Sequence, residues 1–150
     1  MTYRTLLAAT ASLLLLAGAA GCKPKEKTEY LPAPGRPVVG AILIPADPAG
    51  VIAVSIGLSD PESDPLSIVV EVSRDSGVTW RAATLDAADV LTGIASAPGP
   101  DGVTHGVLWN TMADLGFHDP GVPGLLRVTA SDAGGAGAPG YTSVPFPEGN

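Results

Sequence analysis

The chain has 150 residues, 45% of them hydrophobic and 15% charged, with a net charge of −7, which suffices for one buried core and little more. From Pro37 onward three arginines (Arg74, Arg81, Arg127) stand against thirteen acidic residues; a segment carrying about −10 repels phosphate backbones, which excludes nucleic acid as a partner. Cys22 is the single cysteine, so no intramolecular disulfide is possible.

Residues 1–21 open with "MTYR", which carries Arg4, followed by the apolar run "LLAATASLLLLAGAA" of 15 residues. That run is short for a membrane span of ~20 residues. It ends in Ala19-Ala20-Gly21 directly before Cys22. The layout resembles a bacterial lipoprotein signal peptide, with "AAGC" as its lipobox. The resemblance implies cleavage before Cys22 and lipid, palmitate included, on the Cys22 thiol and amine. An ordinary cleaved signal or an uncleaved anchor is the other reading of the same run. Lys23, rather than Asp, follows the cysteine; by resemblance to Gram-negative lipoproteins this implies the outer membrane. The partner expected at this end is the lipid bilayer.

Residues 22–37, "CKPKEKTEYLPAPGRP", read as a tether: charged, rich in proline and without an apolar period. At ~3.1 Å per residue it holds the folded part about 50 Å or less from the bilayer.

Residues 38–150 form that folded part. "VIAVSIGL" puts Ile52, Val54, Ile56 and Leu58 on one face, and "LSIVVEVS" does the same with Leu66, Ile68, Val70 and Val72. Here Ser67, Val69, Glu71 and Ser73 point outward. "LLRVTAS" alternates Leu126, Val128 and Ala130 inward with Arg127 and Thr129 outward. A period of two predicts strands with one buried face. "VVGAILI", "VTWRAAT", "ADVLTGI", "GVTHGVLW" and "YTSVPF" complete a set of about eight, and "TMADLG" predicts one helical turn closed by Gly116. The fold class is all-β, an antiparallel sandwich of about seven to eight strands. Trp80 and Trp109 are expected to anchor its core.

"SRDSGVTW", Ser73 to Trp80, fits S-x-D-x-G-x-T-W at every fixed position. It resembles the Asp-box hairpin of sialidase-type propellers. A propeller needs several blades of ~40 residues, so length excludes one here. The physical reading is a turn: Asp75 accepts backbone amides, Gly77 takes a positive φ, Thr79 starts the return strand and Trp80 closes over the hairpin. The functional alternative is Trp80 as an exposed sugar-stacking platform. Together with "LWNTMADLG" and "LLRVTASDAGG", this stretch resembles a bacterial Ig-like or fibronectin-type-III-like module. That resemblance implies a sandwich and is nearly silent on function.

"SDPESDPL" sets Asp60, Glu62 and Asp64 at alternate positions, and "VTASDAGG" ends a strand on Asp132. Both phrases resemble cadherin-like repeats, where acids at strand ends bind calcium, an ion that takes six to eight oxygens. A solvated acidic turn is the plainer reading. Catalytic residues are not expected. His105 and His118 have no cysteine partner, and neither H-E-x-x-H nor G-x-S-x-G occurs. The Gly-rich stretches precede no helix pattern that would cradle a phosphate. The expected role is therefore a non-catalytic lipoprotein of the cell envelope whose domain binds protein or mediates adhesion. A carbohydrate-binding accessory using Trp80 or a loop aromatic, and a purely structural envelope component, are the alternatives.

Overall fold

A computed structural model describes residues 35–46, 48–116 and 124–144. Cys22, residues 1–21 and most of the expected tether lie outside these.

Eight strands and one helical turn follow one another: β1 Val38–Leu43, β2 Val51–Ser59, β3 Ser67–Ser73, β4 Arg81–Ala82, β5 Val103–Asn110, α1 Thr111–Asp114, β6 Gly124–Asp132, β7 Gly135–Ala136 and β8 Gly140–Val144. The pairs are antiparallel. One sheet has the order β1-β2-β5. The other runs β4-β3-β6, with β7 and β8 both paired to β6. This is an all-β, antiparallel sandwich.

The alternation drives the packing. Val54, Ile56 and Leu58 of β2 are fully buried, as are Val72 of β3 and Leu126, Val128 and Ala130 of β6. These residues come from both sheets and form one cluster with Leu66, Val107, Trp109 and Val144. Each fully buried Val, Leu or Ile contributes roughly 1.5–3 kcal/mol relative to an exposed one.

Trp109 is fully buried at the end of β5. Its indole Nε1 donates to Asp114 Oδ2 at 2.6 Å, and that carboxylate also accepts Thr84 N at 2.7 Å and Thr84 Oγ1 at 2.8 Å. The turn α1 exists to place Asp114 there. Asn110 caps it through Ala113 N at 3.1 Å, and Gly116, at φ +62°, ends it with its N–H on Met112 O.

Two strand expectations and one core expectation need correction. "VTWRAAT" yields only the two residues of β4, because residues 75–79 are occupied in the turn. "ADVLTGI" is not a strand. Ala83 N bonds Val70 O in one sheet; Asn110 N then bonds Thr84 O and Asp86 N bonds Leu108 O at the edge of the other. The chain returns to the first sheet where Ile68 N bonds Leu91 O and Leu66 pairs with Ile94. A segment that changes partner twice within twelve residues cannot hold one ladder, and it covers edges of both sheets. Finally, Trp80 does not join the core. It is half-buried, and Trp109 alone fills the role assigned to both.

Candidate functional site

The Asp-box hairpin joins β3 to β4. Ser73, expected to point outward, is buried. Its Oγ donates to Asp75 Oδ1 at 2.7 Å and accepts Gly77 N at 2.8 Å. Asp75 Oδ1 accepts Thr79 N at 2.8 Å, and Oδ2 accepts Thr79 Oγ1 at 2.6 Å. The Thr79 hydroxyl, the Thr79 amide and the Ser73 hydroxyl together hold the Asp75 carboxyl down to about 2, from its ordinary value of 3.8. Ser76 and Gly77 both take positive φ, +56° and +89°. At Gly77 a Cβ would also meet Trp80 Cζ2 and Leu125 Cδ1, each at 3.4 Å. The turn is thus closed by its own polar side chains.

The product of this turn is the position of Trp80. Its Nε1 donates back to Gly77 O at 3.0 Å. Its ring reaches over the outer face of the neighbouring strand β6, where the Arg127 guanidinium carbon lies 4.2 Å from the ring centroid. Arg127 also donates from Nε (2.9 Å) and from a terminal nitrogen (2.7 Å) to Glu71 Oε2. The register sets Glu71 opposite Arg127, and Arg127 opposite Tyr141. Tyr141 sits 5.9 Å from Trp80, ring to ring, tilted 57°, and is 56% exposed. Val69, on the same outer face, is 55% exposed. Trp80, Arg127, Glu71 and Tyr141 therefore form a fixed ladder across β3, β6 and β8, with its aromatic end open to solvent.

Beside the ladder, Val72, Arg74, Thr79, Trp80 and Arg81 line a depression of about 150 Å³. Arg81 approaches Asp114 at 3.8 Å, and Arg74 makes no ion pair among the described residues. The three arginines of residues 37–150 are all gathered at this hairpin.

The acidic turn is at a different place. Carboxylate oxygens of Asp60, Asp64 and Asp132 lie within 4.8 Å of one another. Glu62 does not join them, contrary to expectation: its Oε1 accepts Gly35 N at 2.9 Å. Asp60 is fully buried, with Oδ1 accepting Glu62 N at 3.1 Å and Oδ2 accepting Asp64 N at 3.3 Å. Asp132 Oδ1 accepts Gly135 N at 2.8 Å. The sequence brings together three of the four acids it nominated, and their first use is to hold two turns.

No family model and no curated protein matches the chain. Among solved structures it is similar to the crystal structure of the GAE domain of GGA2p from Saccharomyces cerevisiae, with 12% identity, 73% of this chain and 97% of that chain covered, and a TM-score of 0.35. The fold described above rests instead on the chain's own strand pairing and buried faces.

Sequence reasoning nominated Ser73, Asp75, Gly77, Thr79 and Trp80, and these residues do form one hairpin. It missed Glu71, Arg127 and Tyr141, which complete the ladder, and Arg74 and Arg81, which line the depression. The outward places of Glu71 and Arg127 on alternating strands were the available signal. The register that sets them opposite each other is not written in either strand alone.

Proposed function

We propose that this chain is a lipid-anchored, non-catalytic binding module of the bacterial envelope. Its lipobox-like "AAGC" supports attachment through Cys22, and its Pro-rich residues 22–34 support a spacer, since Gly35 and Pro37 already pack on the sandwich. The bound partner is a protein, and the binding surface is the outer face of β3, β6 and β8. The observation that carries this reading is the Trp80–Arg127–Tyr141 ladder. Tyr141 and Arg127 are held by the sheet register and Trp80 by the Asp75 turn, with Tyr141 and Val69 open to solvent. Aromatic and arginine side chains that are already ordered lose little entropy on binding, and they dominate protein interfaces.

The geometry favours protein over sugar as the ligand. The guanidinium of Arg127 stands 4.2 Å over one face of Trp80 and takes that face from a sugar, while it adds a charged donor of the kind that protein interfaces use. Envelope extracts passed over the native chain and over a Tyr141→Ala, Val69→Ser variant test the reading. A protein retained by the native chain and lost by the variant supports it. Equal retention by both overturns it and leaves a structural envelope component.

A further inference from the structure

We infer that the depression beside Trp80 takes a carboxylate group from a short acidic segment of the partner protein, an inference that rests on the binding reading above. The first ground is charge. Residues 37–150 hold thirteen acids and three arginines, and two of those arginines, Arg74 and Arg81, line this one depression. The residues lining the depression, Val72, Arg74, Thr79, Trp80 and Arg81, include no acid.

The second ground is that the neighbouring carboxylates are already engaged. Asp75 uses both oxygens on Ser73 and Thr79. Asp114 is buried and holds Trp109 and Thr84, leaving Arg81 a contact of 3.8 Å. Glu71 is taken by Arg127. Arg74 has no ion-pair partner among the described residues, and the Arg81 side chain is 47% exposed. Two guanidinium groups with unused donors at one concavity suit a carboxylate, which accepts paired N–H groups.

The third ground is size. About 150 Å³ has room for a whole Asp or Glu side chain, so the depression admits one acidic residue without rearrangement. A long polyanion must cross the acidic surface beyond the hairpin. Charges past ~8 Å are screened, so a short segment senses the arginines while a polymer meets the surrounding acids as well. This favours a peptide over an acidic polysaccharide.

Tetraglutamate is the probe, added to the full-length chain in a non-ionic detergent. The readout is the indole N–H resonance of each tryptophan. Trp80 lines the depression, whereas Trp109 is buried on Asp114 and reports that the fold is intact. The expected result is a saturable shift of the Trp80 signal that exceeds any shift of the Trp109 signal, which touches the depression only through Asp114 and Arg81. Arg74→Gln should weaken the response about threefold to tenfold. Tetralysine should give no shift, and added salt should reduce the response.

The inference is overturned if the Trp80 signal stays still up to about 20 mM peptide, an affinity too weak to serve. It is equally overturned if an Arg74→Gln, Arg81→Gln variant that melts as the native chain does also responds as the native chain does. A stronger response to polygalacturonate at equal carboxylate concentration would overturn the peptide assignment. Should the peptide fail while envelope capture still depends on Tyr141, the binding reading stands and the acidic partner falls.

Discussion

Asp75 and Asp114 are both carboxylates with three hydrogen bonds or more, yet they act differently. Asp75 lies at the surface and organises a turn. Its carboxyl is held at about 2, below the ordinary 3.8, chiefly by the Thr79 hydroxyl. A depressed folded-state value gives stability that is complete above the unfolded value and is lost as pH falls through the folded one. The stability that Asp75 adds is therefore present above about pH 4 and disappears towards pH 2. Melting curves of the native chain and Asp75→Asn should differ at pH 6 and converge by about pH 2; a constant gap across that range would contradict the assignment. Asp114 is buried, and its loss would strand the Trp109 indole N–H and the Thr84 amide inside the protein. Asp114→Ala should cost about 3 kcal/mol, lowering the melting temperature by about 10 °C. A change under 2 °C would show that water replaces the carboxylate.

At the scale of elements, β2, β3 and β6 were legible because a strict period of two in Val, Ile and Leu has one physical meaning. Their inward sets, Ile52 to Leu58, Leu66 to Val72 and Leu126 to Ala130, are the buried sets. The segment from Ala83 to Ile94 was not legible. Its composition suits a strand, but the structure uses it to bond first one sheet and then the other. Trp80 was misplaced for a related reason. Its short sequence pattern does not tell an aromatic that caps the core from one that lies on the outer face; the fold of the turn and the Arg127 that the turn brings it against decide it. The acidic turn was found in three of its four members. Asp60→Ala should destabilise by about 2 kcal/mol, because its carboxylate holds the Glu62 and Asp64 amides. The loss should be the same in millimolar calcium and in a chelator. A loss confined to calcium, with a native melting temperature that rises ~10 °C when the ion is added, would make Asp60, Asp64 and Asp132 a calcium site instead.

For the whole molecule, the proposal joins an anchor, a spacer and one sandwich. Attachment through Cys22 predicts that cells fed a clickable palmitate analogue label the native chain, and that Cys22→Ser abolishes the label; persistent label on the variant would remove the anchor. The sandwich carries a strongly acidic charge, and its arginines are gathered beside Trp80. Such an arrangement gives orientation as well as affinity, since like charges elsewhere disfavour other approaches. The central claim is that the outer face of β3, β6 and β8 is the binding surface. In-cell photocrosslinking tests it most directly, with a photoreactive phenylalanine at position 141 or at position 104, where Thr104 is exposed on β5 of the opposite sheet. A binding surface on β3, β6 and β8 predicts a discrete protein adduct from position 141 and none from position 104. An adduct from position 104 alone, or none from either, would contradict it.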